Sequence, residues 1–447
     1  MKSDNLYLRF VRNFLPSPFT IAILLSVTTF LLALFLTSSQ SNSSFYPLEI
    51  MGFWQKGFWE LLSFTMQMVL ILVLGHTLAL SPFFNQFIEK LTKYCTNTAK
   101  AALIISFTSI AFSFINWGLC LIIGAVFTRK VGEFAKNNNI PIHYPIVGAA
   151  GYSGMMTWHG GFSGSAPLTV AQPDHFLVNS IGQLSITETI LSPLNTTTSL
   201  ILLLIIPSAF YLLGHKSKPK PYTLHQNSST PKQMQIDAGE KLDHSKGFAW
   251  VFGGIISLYA TYYGVMNLSE SNIGFINLNY INFLLFGLCI LFHGSIHQFT
   301  QAATDAVKGA TGIIIQFPIY AGIMGIMKYA GLAALFSNFF IDISNEFTFP
   351  LYTFISAAIV NIFVPSGGGQ WAIQGPIITV AAQALHVPIN KSILALSYGD
   401  QLTNMLQPFW ALPLLGITKL KAKDILPYSL LIMLLGGAIF TTLLMIF

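Results

Sequence analysis

The stretch Asn361–Pro376, NIFVPSGGGQWAIQGP, constrains this chain more than any other. Long apolar runs flank it, yet its centre holds three consecutive glycines together with Pro365, Ser366, Gln370, Gln374 and Pro376. Proline and a glycine run resist helix formation, so the backbone is expected to open there and free its polar groups. Hydrocarbon offers those groups no partner, so irregular backbone between apolar runs lines a cavity or packs inside protein. A glycine-rich loop in water normally carries polar flanks instead. A substrate site is expected to start at this stretch.

The apolar flanks recur along the whole chain. Of its 447 residues 53% are hydrophobic and 9% charged, with a mean hydropathy of +0.63; soluble proteins carry about a quarter charged residues. The class is therefore an all-α polytopic membrane protein. The formal net charge of +6 comes from lysines clustered in a few loops, where they report topology rather than nucleic-acid binding. Cys95, Cys120 and Cys289 are scattered with no metal-ligand spacing, so they read as packing residues, and neither a metal nor a cofactor is expected.

The chain order gives the topology. Lys2, Arg9 and Arg12 precede the apolar run Phe19–Leu36, which reads as a retained first helix with a cytoplasmic N-terminus. Ser38–Ile50 lacks Lys and Arg and reads as external, and Trp54 and Trp59 mark an interface before the span Phe58–Leu80. Ala101–Phe127 carries Asn116-Trp117-Gly118 at its middle and has positive clusters on both sides: Lys90, Lys93 and Lys100 before it, Arg129, Lys130 and Lys136 after it. A single crossing would put one cluster outside, so a re-entrant hairpin with its tip at Asn116–Gly118 is predicted. Pro145–Val170 is a span interrupted by TWHGGFSGSAP (Thr157–Pro167), and Ile186–Leu213 returns inward. The hydrophilic stretch His215–Lys246 reads as a flexible cytoplasmic linker. Gly247–Asn267, Asn279–Phe292 and Val307–Tyr329 cross next; Phe347–Leu385 is predicted to form a second hairpin, entering from outside. Ser392–Ile417 crosses inward, broken at Gly399–Pro408, and Tyr428–Phe447 ends outside.

The two halves resemble each other. Tyr152 and Pro167 bracket the first broken span as Tyr398 and Pro413 bracket the second, both at an offset of 246, and Gln67 and Gln316 sit 249 apart in preceding spans. Two inverted-topology repeats follow, each with a re-entrant hairpin and a broken transmembrane helix: 1–214, then the linker 215–246, then an extra helix with the second repeat in 247–447. Secondary transporters are built this way, with the site near the midplane where the repeats meet.

No Arg falls in the four irregular segments, so a transported carboxylate would rely on glycine-exposed N–H groups and half-helix N-termini. Asn116 and Gly118 in one hairpin, and Ser366, Gly367, Gly368, Gly369 and Gln370 in the other, are the candidates. The broken helices add Gly160, Gly161, Ser163 and Ser165, and Thr403, Asn404 and Gln407. Each such Ser or Asn has an equally good reading as a helix–helix hydrogen bond. Asp400 is the one carboxylate inside a broken span and is the candidate for the coupling ion, H⁺ or Na⁺. His159 adjoins the other break and suits titration near neutrality or a structural hydrogen bond equally. His76 and His293 have no polar company and read as structural. His159-Gly160-Gly161 looks like an esterase oxyanion loop, but no G-x-S-x-G elbow supplies a nucleophile; Gly367–Gly369 lacks the Lys-Ser/Thr of a phosphate loop.

FINWGLCLIIGA (Phe114–Ala125), TWHGGFSGSAPL (Thr157–Leu168), QFPIYAGI (Gln316–Ile323), VPSGGGQWAIQGP (Val364–Pro376) and YGDQLTNMLQPFWALP (Tyr398–Pro413) resemble the bacterial short-chain fatty acid uptake transporters of AtoE type. The resemblance spans nearly the whole chain apart from the linker. It implies a multi-pass inner-membrane carrier of small monocarboxylates such as butyrate or acetoacetate. It also implies kinship with the inverted-repeat anion carriers of the ion-transporter superfamily, often elevator-type homodimers. Many relatives are expected to carry glycine at His159, so no role for His159 follows from the resemblance. Two other readings compete. A dicarboxylate carrier of the same fold would want more positive charge than these segments hold, and an intramembrane acyltransferase using His159 or His293 would need one asymmetric site, whereas the breaks come in pairs.

Overall fold

The computed structural model describes residues 18–39, 45–220, 222, 238–269, 275–364 and 366–447. Its regular structure is helical. The first half runs α1 (Pro18–Leu36), α2 (Tyr46–Glu60), α3 (Leu62–Ala79), α4 (Pro82–Thr92), α5 (Thr98–Ser113), α6 (Trp117–Asn137), α7 (Tyr144–Tyr152), α8 (Ser165–Thr169), α9 (Val178–Ile181) and α10 (Pro193–Lys216). The second half runs α11 (Lys246–Ser269), α12 (Leu278–His293), α13 (Ile296–Val307), α14 (Thr311–Tyr329), α15 (Leu332–Ile343), α16 (Phe349–Phe363), α17 (Gly367–Ala384), α18 (Ile389–Thr403), α19 (Pro408–Thr418) and α20 (Ala422–Ile446).

Among the described residues, α3, α10, α11 and α20 are each long and apolar enough to cross a membrane. A fifth crossing results if α13 and α14, bent by 41°, count as one. These helices are apolar around most of their circumference, as membrane-buried segments must be. Polar side chains close their open ends: Asn97, Asn116, Ser192, Asn277, Ser295 and Ser366 each accept a backbone N–H of the first turn they precede. Small residues set the closest crossings. A Cβ on Gly124 of α6 would lie 1.9 Å from the Gly151 carbonyl oxygen of α7, and one on Gly325 of α14 would lie 2.7 Å from Gly57 Cα of α2.

Several boundaries differ from the sequence reading. The span expected at Phe58–Leu80 is broken at Leu61, and α2 packs against α14 as a separate helix. The polar α13, with only Ala302 and Ala306 buried, and a short turn at Lys308–Ala310 precede α14, so the expected Val307–Tyr329 span begins at Thr311. The span expected from Ile186 begins at Pro193, because Ser192 caps it there. The first predicted hairpin tip shifts slightly: the non-helical residues are Phe114–Asn116, and Gly118 belongs to the first turn of α6.

The glycine run differs most. It was expected to open the backbone, but Gly367–Gly369 form the first turn of α17, and the chain opens just before it, around Val364 and Ser366. Helix first turns have no intrahelical N–H bonds to lose, and the Ser366 hydroxyl accepts the Gly369 N–H at 3.2 Å. Pro376 likewise stays inside α17. Lys2, Arg9, Arg12 and most of the linker (221 and 223–237) lie outside the described residues. The linker's near end is held: the Tyr222 hydroxyl donates to the Gly132 carbonyl at 2.7 Å, and its ring stacks on Tyr144 at 4.6 Å.

Candidate substrate and coupling-ion site

Both broken segments unwind through 3₁₀ turns. After α7 the chain makes turns at Ser153–Met156 and Trp158–Gly160 before α8; after α18 it turns at Asn404–Leu406 before α19. The turns Trp158–Gly160 and Asn404–Leu406 are 246 residues apart, the offset read from the tyrosines and prolines.

Most candidate side chains hold these breaks in place. Asn116 accepts the Leu119 N–H at 2.9 Å and donates through Nδ2 to the Ile71 carbonyl of α3 at 3.0 Å. Ser163 Oγ accepts the Trp117 N–H at 2.9 Å, and Gly161 lies against Phe114, where a Cβ would come within 2.6 Å of its backbone. Gly118 lies over α3, where a Cβ would meet the Leu72 carbonyl oxygen at 3.0 Å. The turn between α5 and α6 and the first break therefore form one unit, tied to α10 by Asn195, which donates to the Gly160 carbonyl at 2.8 Å. In the second half Asn361 is the hub: its Nδ2 lies 2.6 Å from the Asp400 carbonyl oxygen, 2.9 Å from Thr403 Oγ1 and 2.9 Å from Asn404 Oδ1. Gln407 donates back to the Asn361 carbonyl at 2.5 Å, and Gln370 donates to the Ala357 carbonyl and to Gln374.

The two units meet. The Tyr152 hydroxyl of the first donates to the Asn404 carbonyl of the second at 2.7 Å. Reciprocally, the Tyr398 hydroxyl of the second donates to Asn195 Oδ1, beside the first break, at 3.1 Å. His159 N–H donates to Gln401 Oε1 at 2.9 Å, and the Trp117 ring meets Trp410 edge-on at 5.1 Å. Sequence reasoning missed Asn361, Asn195 and Gln401 as organisers. Tyr152 and Tyr398 were legible only as repeat markers.

At the junction a few buried polar groups stay without hydrogen-bond partners among the described residues. They include the Asp400 carboxyl oxygens, His159 Nδ1, Ser165 Oγ, Asn404 Nδ2, Asn361 Oδ1, Gln407 Oε1 and the indole N–H groups of Trp117 and Trp158. Asp400 is 1% exposed and His159 0%. His159 Nδ1 lies 3.5 Å from Asp400 Oδ2. The α17 N-terminus points into the same place: a Cβ on Gly367 would lie 2.8 Å from Trp158 Cη2, 2.9 Å from Asp400 Oδ2 and 3.0 Å from His159 Cε1. The backbone N–H groups of Gly367 and Gly368 have no acceptor among the described residues. Free N–H groups at the end of an 18-residue helix make an electropositive, anion-accepting spot. Of the residues named from sequence, Gly367, Gly368, Ser165, Asn404 and Asp400 keep free polar groups here. Asn116, Ser163 and Thr403 are engaged as scaffold; Gln370 and Gln407 donate through Nε2, while their Oε1 atoms have no hydrogen-bond partner among the described residues. His293, read as structural, bonds the Thr77 carbonyl at 2.8 Å.

Replacing Asn116 by Ala should lower stability by about 2 kcal/mol, since it removes a helix cap and a buried hydrogen bond to the Ile71 carbonyl. Asn116→Ser keeps a capping oxygen without burying a charge and should recover part of that loss, as read by thermal unfolding in detergent.

Helices broken at a shared, buried polar junction define a polytopic α-helical membrane transporter. A sequence profile described as "Short chain fatty acid transporter" matches residues 2–447, and the chain belongs to that family. Relatives from Escherichia coli (strain K12) and Haemophilus influenzae, each named "Putative short-chain fatty acid transporter", are both 36% identical to it. The first aligns over 438 residues, 97% of this chain and 96% of its own, and the second over 445 residues, 96% of each. Family and relatives are transporters and not enzymes. Among solved structures, MtrF of Neisseria gonorrhoeae, from a class of antimetabolite efflux pumps, superposes with a TM-score of 0.60 over 97% of both chains. The YdaH transporter of Alcanivorax borkumensis superposes at 0.61, over 96% of this chain and 98% of its own. At 15% and 13% identity these two share the fold alone.

Proposed function

We propose that the protein is a secondary active carrier that takes up short-chain fatty acid anions, small monocarboxylates such as butyrate or acetoacetate, coupled to H⁺ or Na⁺. The observation that carries this reading is the buried α17 N-terminus, with free N–H groups at Gly367 and Gly368 beside the unpartnered Asp400 carboxyl. The N–H pair suits one carboxylate, and the single acid suits one coupling ion. No arginine lies near enough in sequence to clamp a second carboxylate, which favours mono- over dicarboxylates.

In this reading the halves are inverted repeats, with α5–α6 and α16–α17 as re-entrant hairpins. The 246-residue spacing of the two 3₁₀ turns, the reciprocal tyrosine bonds and the caps Asn116 and Ser366 at matching places support it. The protein would sit in the bacterial inner membrane with a cytoplasmic N-terminus, as a homodimer in the manner of the wider superfamily. The Asn116, Ser163, Thr403 and Gln407 groups would then act by holding the breaks open around the substrate.

Proteoliposomes loaded with the purified protein should accumulate labelled butyrate when an inward H⁺ or Na⁺ gradient is imposed. Uptake that ignores both gradients, or that prefers succinate to butyrate, would refute this function.

A further inference from the structure

We infer that Asp400 takes the coupling ion as a proton shared with the substrate carboxylate, and that His159 is the positioning residue that sets when Asp400 holds it. This rests on the monocarboxylate site proposed above. The neighbours of the Asp400 carboxyl are donors. On one side stands His159, whose Nε2 accepts the Ala166 N–H at 3.2 Å. That role leaves the proton of the neutral ring on Nδ1, the atom 3.5 Å from Asp400 Oδ2. The ring cannot easily turn away. It stacks on Trp158 at 4.5 Å, and its own backbone N–H is held by Gln401. On the other side stands Gly367, at the positive end of α17.

A sodium ion needs several oxygen ligands and would here face an imidazole N–H and a helix N-terminus. A proton needs only the carboxyl itself. An anionic substrate on the Gly367 and Gly368 N–H groups would sit beside Asp400, and two carboxylates sharing a site retain one proton between them. Binding the anion therefore draws in a proton.

Other titratable groups on the elements packed against α18 are few. Helix α16 carries Tyr352, α20 carries Lys423, Asp424 and Tyr428, and α18 itself carries Lys391 and Tyr398. Helices α8 and α17 and the turns at Ser153–Met156 and Asn404–Leu406 carry none. Tyr398 is bonded to Asn195 and Tyr428 to His143; Lys391 lies nine residues from Asp400, about 13 Å along the helix. His159 alone faces the carboxyl.

Calorimetric titration of the purified carrier with butyrate, in buffers of different ionisation enthalpy, counts the protons taken up on binding. In sodium-free buffer the expected count rises with pH to about one per butyrate, once the free carrier's carboxyl has lost its proton, and stays about zero for Asp400→Asn. His159→Gln keeps an acceptor for the Ala166 N–H but removes the donor facing Asp400. The free carboxyl then holds its proton to higher pH, so the rise in proton count should move to higher pH, and at the parent's midpoint the count should fall at least about twofold. His159→Asn places an amide N–H near the Nδ1 position and should behave like the parent. A purely structural His159 would leave the proton count of His159→Gln, and its pH dependence, equal to the parent's. Butyrate binding that requires Na⁺ and takes up no proton overturns the inference. A carrier that binds no butyrate in either salt overturns the monocarboxylate site itself.

Discussion

Asp400→Asn should reduce gradient-driven accumulation of labelled butyrate by at least about tenfold, a coupling loss of about 1.4 kcal/mol or more. Counterflow exchange should stay within a few-fold of the parent. The asymmetry follows from what the substitution keeps. Asparagine has the shape of a protonated aspartic acid and stays neutral, so the junction keeps its packing and an anion at α17 meets no like charge. The Asn361 contact survives as well, because it is made to the Asp400 main-chain carbonyl and not to its carboxyl. What disappears is the group able to pick up and release a cation. Exchange moves substrate both ways without consuming the ion gradient, whereas accumulation requires it. Both are measured in the same vesicles. Parental accumulation with unchanged ion dependence would make Asp400 a structural acid, and equal loss of both activities would make it a substrate ligand.

Local chemistry made the breaks legible. Asn116, Gly160-Gly161, Ser366 and Gln407 are cap, glycine and pre-proline signals that act within a turn of where they stand, and the helices do end there. Tertiary partners were not legible. Asn361 and Gln407 are 46 residues apart, Tyr152 and Asn404 are 252 apart, and nothing in either neighbourhood announces the other. Whether a buried Ser or Asn faces substrate or braces a helix depends on such partners, so the candidate cluster was visible while the division of labour within it was not. The glycine run exposes the same limit from the other side. Weak helix propensity suggested open backbone, but a first turn needs few internal hydrogen bonds, and close packing overrode propensity.

The three glycines of that run should fail in three different ways, because each Cβ would meet a different neighbour. Gly367 faces the site: an added methyl would press on Trp158, Asp400 Oδ2 and His159 at 2.8–3.0 Å. Gly367→Val should abolish uptake with the protein still assembled, since the bulk falls where the unpartnered groups lie. Gly368 faces Phe64 and Phe317, whose rings lie 5.9 Å apart, and its Cβ would stand 2.8 Å from Phe64 Cζ and 2.9 Å from Phe317 Cε2. Ring tips can yield, so Gly368→Ala should be mild, whereas Gly368→Val should lose both uptake and stability. Gly369 faces the near atoms of Tyr320, a fully buried ring, with Cδ2 at 2.5 Å. Gly369→Ala should lower stability by about 1–3 kcal/mol, as overpacking does. The sign is informative, because alanine in an unobstructed helical turn would instead stabilise by about 0.4–1 kcal/mol. Thermal unfolding in detergent and butyrate uptake, measured on the set together, separate the cases. A Gly369→Ala protein more stable than its parent would show that Tyr320 leaves room over α17. A Gly367→Val protein that still transports would move the substrate away from this helix end.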